Sequence, residues 1–481
     1  MKEQAFNPFL PEYEYIPDGE PYVFKDRVYI YGSHDRFGAP MFCMNDYVCW
    51  SAPTDDLSDW RYEGVIYRKD QDPKNRLGIR LLFAPDIARG QDGRYYLYYA
   101  FDFMGIMGIA VSDSPAGPFE FYGHVQYADG TLWGRKKGDS FPFDPGIFVD
   151  DDGRVYLYSG FYTPVPAIAT GFRKLKFEGG YVLELEPDMK TVRAPEKLLF
   201  PKEGEGSFAG HEFFEASSMR KYNGKYYFVY SSRHNHELCY ALSDSPTDGF
   251  QFGGTLVSIG DLFLNGNEDE SHASNYIGNT HGSLLHLNEK YYIFYHRQTN
   301  RSSYARQACA EEIFMDEKGM FRQAEMTSCG LNGKPLRGIG TYPARIACNL
   351  WSKDGTGRYD CRNPKKAFAE HPYFTQDKKD GDAGAKQYIA NMRDGAVAGF
   401  KYFEMGEAKE ISVELAGQAS GKMLVSERKD FSIANAKISV ENQKKGNKEF
   451  HGNLKIGSGK KALFFKYCGE GTVDFISFRL R

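Results

Sequence analysis

The segment Asp92-Gly-Arg-Tyr-Tyr-Leu-Tyr-Tyr99 decides the fold, because it joins a tight turn to an aromatic strand and recurs along the chain. An Asp-Gly or Asn-Gly pair beside alternating apolar residues is a strong hairpin signal. The other copies lie at 26–31, 152–158, 223–230 and 288–295. Their equivalent tyrosines are Tyr29, Tyr96, Tyr156, Tyr227 and Tyr292, which gives steps of 67, 60, 71 and 65 residues. Self-similarity at such a steady period predicts a repeat architecture.

A period of about 65 residues leaves room for roughly four strands per unit, which is typical of a propeller blade. Five such units fill the chain to about residue 335. After Thr341 the repeat stops, and short alternating strands such as 411–415 and 473–478 take its place. We therefore predict an all-β chain, with a five-bladed β-propeller at 1–335 followed by a β-sandwich (jelly-roll) domain at 340–481.

Composition excludes several classes of protein. The 481 residues carry 60 Lys+Arg against 64 Asp+Glu, a net charge of −4, so no basic field attracts nucleic acid or an anionic membrane. The chain has no run of about 18 apolar residues, which argues against a membrane span. Aromatic residues make up 16% and there are 51 glycines, a mixture that suits strands and tight turns.

Cysteine spacing and the N-terminus bear on redox state and location. The eight cysteines are scattered without a CxxC pair, which predicts neither a zinc cluster nor a disulfide framework, so we expect most to be reduced and buried. Residues 1–15 lack the basic segment and apolar core of a secretory signal. We expect either a cytoplasmic protein or a secreted mature form whose signal peptide has been removed.

One polar residue per repeat lies at a nearly constant distance before the repeated tyrosine. Counting back ten to twelve residues gives Asp18, Asp86, Asp144, Glu215 and His281. Any single acid of this set could cap a turn at its strand end. Because the first strand of each blade lines the central channel, all five together predict a cluster at the axis. Converging like charges raise one another's pKa values, which is typical of functional sites.

This cluster has the chemistry of glycosidic bond hydrolysis. One carboxyl group can protonate the leaving oxygen while a second activates water or attacks carbon. The contexts Phe141-Pro-Phe-Asp144 and Phe213-Phe-Glu215 place acids among apolar neighbours, which favours the neutral, proton-donating form. Aromatic side chains at the strand ends offer flat faces to sugar rings. We therefore expect a carbohydrate substrate and no organic cofactor.

Three motifs resemble glycoside hydrolase family 43, the five-bladed propeller hydrolases of plant cell-wall pentoses. They are Pro17-Asp-Gly-Glu-Pro-Tyr-Val-Phe24, Phe143-Asp-Pro-Gly-Ile-Phe-Val-Asp-Asp-Asp-Gly153 and Phe214-Glu-Ala-Ser-Ser-Met-Arg-Lys221. The resemblance covers roughly residues 8–335. It implies that Asp18 is the general base, that Glu215 is the general acid and that Asp144 orients the acid and tunes its pKa. It also implies inversion by single displacement, with the reacting carboxyl groups about 6.5–9.5 Å apart.

The resemblance implies further roles around the channel. His281 corresponds to a histidine that helps hold a hydrated structural calcium ion, and Arg297 to an arginine that contacts the sugar in the −1 subsite. Phe83, Phe143 and Asp86 are further candidate substrate contacts. The family's first motif usually has Asp followed by Pro, whereas this chain has Asp18-Gly-Glu20-Pro21, so Glu20 stays open as an alternative base. The segment from about 340 is similar to family 6 carbohydrate-binding modules.

The resemblance implies an inverting exo-glycosidase that releases xylose, L-arabinofuranose or both from pentose-containing oligosaccharides of xylan and arabinoxylan. An exo-galactanase or an endo-arabinanase on the same fold is an alternative. A sugar-binding propeller without catalysis is a further one. The Asn-Asp-Pro-Asn-Gly-like motif of retaining fructosidases is absent from the sequence. Oligomeric state, and the choice among these sugars, stay open at this point.

Overall fold

The structure is a computed structural model, and it describes residues 3–166, 170–201, 203, 206–442 and 446–481. The chain folds almost entirely into antiparallel sheets, as predicted. All eight cysteines fall within these ranges and are free, five of them buried, two partly buried and Cys361 exposed. None of the helices in the described ranges is long and apolar enough to cross a membrane.

The first nineteen strands form five sheets, or blades, each in simple chain order. Blade I contains β1 (Glu20–Phe24), β2 (Arg27–Tyr31), β3 (Tyr47–Pro53) and β4 (Arg61–Tyr67). Blade II contains β5 (Leu82–Arg89), β6 (Tyr95–Phe101), β7 (Met107–Ser112) and β8 (Glu120–His124). Blade III contains β9 (Gly146–Val149), β10 (Val155–Ser159), β11 (Gly179–Leu185) and β12 (Val192–Pro201). Blade IV contains β13 (Phe213–Tyr222), β14 (Lys225–Ser232), β15 (Glu237–Ser243) and β16 (Gln251–Ser258), and blade V contains β17 (Leu284–Leu287), β18 (Lys290–Thr299) and β19 (Ser302–Ile313).

The sequence repeat corresponds to the second strand of each blade, since β2, β6, β10, β14 and β18 carry the five repeated tyrosines. The first strands of neighbouring blades contact one another around the axis in four of the five pairs, and Arg220 of β13 donates a hydrogen bond to the backbone of Leu284 of β17 across the fifth. Gly19 and Gly282 form a backbone bridge beside the channel, which closes blade V against blade I. The residues that precede each first strand are therefore gathered at one end of the channel.

Blade V differs from the predicted four strands, because it has three among the described residues. The N-terminal segment runs along its outer strand instead. The backbone of Phe9 donates a hydrogen bond to Ala308, and the side chain of Asn7 bonds to both backbone groups of Ala310. Chain start and last blade are thus joined, a closure that the repeat pattern alone does not reveal.

The remaining strands form two facing sheets, a β-sandwich as predicted. The aromatic rings of Phe400, Phe465 and Phe478 pack between them, with centroids 4.8 Å apart for Phe400–Phe478 and for Phe465–Phe478. One sheet contains β20 (Leu336–Arg337), β22 (Asn349–Trp351), β25 (Val397–Met405), β27 (Ala419–Ser426), β28 (Ala436–Asn442) and β30 (Gly459–Gly471). The other contains β21 (Gly340–Pro343), β23 (Tyr373–Gln376), β24 (Gln387–Met392), β26 (Glu410–Ala416), β29 (Lys448–Asn453) and β31 (Val473–Leu480). The described helices are single turns: α1 (Pro364–Ala367) and 3-10 turns at Lys69–Gln71, Gly206–Phe208, Glu270–His272, Gly330–Asn332 and Ala344–Ile346.

The sandwich is fixed against blades IV and V. The buried ammonium of Lys401 lies 2.7 Å from Asp261 and 3.0 Å from Glu325 of the propeller. The backbone of Leu350 donates to Ser274 at 2.9 Å, at the connection between blades IV and V. These contacts hold the connection that follows β22 close to the open end of the channel.

Candidate active site

A cavity of about 380 Å³ opens at the end of the channel where the first strands begin. Four of the five residues at the repeated offset line it: Asp18, Asp144, Glu215 and His281. Asp18, Asp144 and His281 precede the first strands of blades I, III and V, and Glu215 lies within β13. The convergence predicted from the repeat is therefore present for these four side chains.

The local backbone directs the three carboxyl groups into the cavity. Asp18 and Asp144 have φ values of 59° and 44°, in the left-handed region that Asp tolerates better than most residues. Glu215 lies between two register shifts of the β13–β14 ladder, and Ala216 beside it has φ 72°. An irregularity of this kind turns a side chain out of the regular alternation of a strand.

Asp18 is held in its ionised form. The residue is 4% exposed, and its Oδ1 accepts a hydrogen bond of 2.9 Å from Nη1 of Arg306. Burial by itself would raise the pKa of Asp18, but Arg306, His281 and His296 together lower that pKa below its ordinary value. An ionised carboxylate in a closed cavity can accept a proton from water.

Glu215 and Asp144 are held in the neutral, protonated form. Burial and the charge of Asp18 raise the pKa of Glu215 to about 8, against the opposing effect of Arg306. Burial, Glu215 and Asp18 raise the pKa of Asp144 well above its ordinary value, although the backbone of Ala216 donates to its carboxylate at 3.2 Å. Two carboxyl groups with pKa values pushed in opposite directions are the arrangement that acid and base catalysis requires.

Asp86 and Glu20 lie below the cavity, not in its wall. Asp86 is fully buried and accepts hydrogen bonds from Tyr22 (2.6 Å) and from the backbone of Ile147 (2.7 Å), so its predicted contact with substrate is wrong. Glu20 is paired with Arg220 at 2.7 Å. Of the two candidate bases, Asp18 lines the cavity and Glu20 does not.

Arg297 is also placed differently from the prediction. Its guanidinium donates to the backbone carbonyls of Ala347 (2.8 Å) and Arg345 (2.7 Å) and lies over the ring of Phe374. It therefore joins blade V to the sandwich and does not line the cavity. The arginine in the cavity is Arg306, on the neighbouring strand β19, which the sequence reasoning missed; it binds Asp35 as well as Asp18.

Eight aromatic side chains line the cavity. Phe83 and Phe143, the two rings predicted to contact substrate, both line the cavity, with ring centroids 5.6 Å apart. The sequence reasoning did not single out the other aromatic members. Two of them, Phe103 and Phe214, stand directly beside an acid in the chain, which was an available signal; Tyr304 belongs to β19, and the other three lie in loops. These further rings are Phe42, Phe103, Phe141, Phe161, Phe214 and Tyr304.

His281 lies between the cavity and the channel. Its Nδ1 is 3.6 Å from Asp144 and its Nε2 is 3.9 Å from Oε1 of Glu20, an oxygen without a hydrogen-bond partner in the described part of the chain. Burial lowers the pKa of His281 to about 4, so its imidazole is neutral at pH 7. One nitrogen and one carboxylate oxygen fit a hydrated calcium ion, in which waters supply most of the six to eight oxygens.

A second group of ligand types lies outside the cavity. Among the described residues, His211, Glu237 and Cys239 are the one trio of such side chains whose ligand atoms lie within 4.8 Å of one another. Glu237 already accepts hydrogen bonds from His211 (2.8 Å), Ser232 (2.5 Å) and Thr255 (2.8 Å). This trio is accounted for by its own hydrogen bonds.

The acid–base pair of carboxyl groups at one end of the channel places this five-bladed propeller in the class of glycoside hydrolases. The comparisons with known proteins agree. The family model "Glycosyl hydrolases family 43" matches residues 7–321, so the chain belongs to that family. A "Xylosidase/arabinosidase" of Thermoclostridium stercorarium is 48% identical over 100% of this chain and 99% of its own length.

Solved structures give the same fold. An arabinoxylan arabinofuranohydrolase of family 43 from Bacillus subtilis, in complex with cellotetraose, matches 98% of this chain and 97% of its own. The TM-score is 0.52 at 20% identity, which shows a common fold across both sheet systems. A family 43 beta-xylosidase/alpha-arabinofuranosidase from a compost microbial metagenome, in complex with xylotriose and in calcium-free form, matches 67% of this chain and 98% of its own, with a TM-score of 0.52 at 27% identity.

Proposed function

We propose that this glycoside hydrolase is an inverting exo-glycosidase that releases xylose, L-arabinofuranose or both from the chain ends and branches of xylan-derived oligosaccharides. The observation that carries the proposal is the opposed ionisation of Asp18 and Glu215 in one cavity. The pKa of Asp18 is lowered, while that of Glu215 is raised to about 8. At neutral pH one group is a base and the other is an acid.

The chemical steps follow from these states. A water molecule attacks the anomeric carbon and gives a proton to Asp18, while Glu215 gives its proton to the glycosidic oxygen as the C–O bond breaks. The sugar leaves with inverted configuration, and the remainder of the substrate leaves as an alcohol. Asp18 is then protonated and Glu215 ionised, and exchange with solvent restores the starting state. Asp144 is a positioning residue in this scheme: its carboxylate accepts a hydrogen bond from the backbone of Ala216, the neighbour of Glu215, and lies 3.6 Å from Nδ1 of His281.

The proposal of pentose substrates rests on the similar proteins and on the aromatic wall of the cavity. The whole-length relative is called a xylosidase/arabinosidase, and the metagenome enzyme holds xylotriose. Rings from all five blades surround the cavity, which favours a chain end over the open groove that an endo-arabinanase needs. We also propose that residues 1–335 form the catalytic domain, that 340–481 form a carbohydrate-binding domain, and that His281 with Glu20 holds a hydrated calcium ion in the channel.

The test is release of p-nitrophenol from the β-D-xyloside and the α-L-arabinofuranoside. Asp18→Asn and Glu215→Gln should each lose at least about 100-fold in kcat, which is the usual contribution of a positioned acid or base. Glu20→Gln tests the alternative base, and the control is Asp86→Asn, which alters a buried carboxyl group that neither lines the cavity nor belongs to the proposed calcium site. A wild type silent on both glycosides, or a Glu20→Gln variant as impaired as Asp18→Asn while equally folded, contradicts the proposal.

A further inference from the structure

The aromatic wall of the cavity is an incomplete ring. Successive contacts run from Tyr304 of blade V to Phe42 of blade I, then Phe83, Phe143 and Phe161, and end at Phe214 of blade IV. The centroid distances along this chain lie between 4.6 and 6.4 Å. The described residues show no such contact between Phe214 and Tyr304. The ring is therefore interrupted where blades IV and V meet.

Polar side chains fill the interruption. Asn235 comes from the turn between β14 and β15, Asn279 from the connection between blades IV and V, and Asp360 from the connection after β22 of the sandwich. Asp360 is exposed, whereas Asp18 and Asp144 are 4% and 3% exposed. The reacting carboxyl groups thus form the floor of the cavity, and Asp360 belongs to its mouth.

Backbone pairing holds Asp360 there. We name residues 357–360 the strap. Its Gly357 carbonyl accepts from the backbone of Ile277 at 3.1 Å, and its Tyr359 donates back to Ile277 at 2.8 Å. The Tyr359 ring stacks on Tyr276 with centroids 4.8 Å apart and planes 7° apart. Because Ile277 belongs to the propeller, the strap is built into the cavity wall although the sandwich supplies it.

The carboxylate of Asp360 is held in one orientation and can still accept a further hydrogen bond. Arg358 donates to both of its oxygens, each at 3.0 Å, and Nδ2 of Asn235 lies 3.4 Å from Oδ2. A carboxylate offers about four acceptor positions, so at least one stays open. Oδ1 of Asn235 is buried and has no hydrogen-bond partner within the described ranges. Two acceptors thus lie in the polar sector between Phe214 and Tyr304.

We infer that Asp360 and Asn235 bind a hydroxyl group of the leaving-group sugar, so that the sandwich completes the specificity site of the propeller. The inference rests on the proposed function, since the leaving group is defined by the acid Glu215 on the cavity floor. A sugar hydroxyl donates a hydrogen bond to an acceptor, whereas a nitrophenyl leaving group carries no hydroxyl to donate. The enzyme should therefore use this pair for oligosaccharides and not for nitrophenyl glycosides.

The experiment compares two substrates of one sugar. In Asp360→Ala, kcat/KM for xylobiose, or for an arabinofuranosyl-xylotriose if the wild type prefers it, should fall about 10- to 100-fold, the loss expected for a hydrogen bond to a charged group. The same variant should keep kcat/KM for the matching p-nitrophenyl glycoside within about twofold. Asp360→Asn keeps an acceptor oxygen and should recover part of the loss.

Two further variants separate binding from folding. Asn235→Gly removes the amide from the propeller side, keeps a residue suited to φ 66°, and leaves the Arg358–Asp360 pair intact; it should show the same substrate-dependent loss. Asp354→Ala lies in the same connection without lining the cavity and should change neither rate. Equal losses on both substrates, or no loss on either, overturn the inference. A wild-type enzyme that hydrolyses neither substrate would instead refute the proposed function, which the Glu215→Gln variant tests independently.

Discussion

Arg306 holds the base Asp18 in its ionised form, so a substitution of Arg306 tests the assignment of the base directly. It donates to Asp18 at 2.9 Å and to Asp35 at 2.8 and 3.1 Å, and all three side chains are buried. In Arg306→Lys a single ammonium replaces the planar fork, and Asp35, with two of the three contacts, competes for it. Asp18 then loses its partner. An adjacent arginine lowers a carboxyl pKa by about 1–3 units, so the pKa of Asp18 should rise by a similar amount.

The measurable consequence is a shift of the acid limb of the pH profile. Because Asp18 must be ionised to accept a proton, kcat/KM begins to fall at higher pH in the variant, by about 1–3 pH units. The assay is kcat/KM for the p-nitrophenyl glycoside across the acid range. The free energy of unfolding should fall by less than the about 3–5 kcal/mol lost when a buried ion pair is broken outright.

Arg220→Lys is the matched control. Arg220 forms a buried ion pair of 2.7 Å with Glu20 directly below the cavity, so the same change there perturbs a similar network without touching Asp18. It should lower stability to a comparable degree and leave the acid limb where it is. If Arg306→Lys is active and folded but its acid limb coincides with that of the wild type, the assignment of Asp18 as the base is refuted.

Three further outcomes follow from the same geometry. In the wild type, kcat/KM should fall as pH rises through about 8, because Glu215 must be protonated, and this limb should vanish in the residual activity of Glu215→Gln. Proton NMR of β-xyloside hydrolysis should show α-xylose first; initial β-xylose would exclude single displacement. In Arg297→Ala, two buried carbonyls of the propeller–sandwich connection lose their donor, so the free energy of unfolding should fall by about 2–4 kcal/mol in denaturant titration, whereas Arg301→Ala, a more exposed neighbour, should have a smaller effect.

The fold was largely predictable because its defining signal is local. Each blade repeats a hairpin with an equivalent tyrosine, and three of the five copies have an Asp-Gly or Asn-Gly turn, so one segment such as 92–99 predicts the hairpin of every blade. The closure of the ring was not predictable in this way. The contact of Phe9 with Ala308 joins positions almost 300 residues apart and involves backbone atoms, which leave no pattern in the side chains.

The site residues likewise separate into those that the local repeat marks and those that it does not. Asp18, Asp144, Glu215 and His281 were predictable, because each stands at a fixed offset from a repeated strand. Asp86 shares that offset but lies one layer lower, where Tyr22 and backbone amides bind it, and an offset of one or two residues decides depth along a channel. Arg306 had no such marker, and the motif resemblance directed attention to Arg297 on the adjacent strand instead.

The residues that were hardest to predict from the sequence are those in the part of the cavity that the propeller and the sandwich form together. Asp360 is about 145 positions from Glu215 in the chain, and no repeat relates them, yet both line one cavity. The floor of that cavity follows from the repeat and is common to any propeller with these carboxyl groups. Its mouth depends on how the strap pairs with Ile277. The reaction type is therefore encoded in the propeller, while the preference among leaving groups is encoded in the contact between propeller and sandwich, and the two should vary independently under mutation.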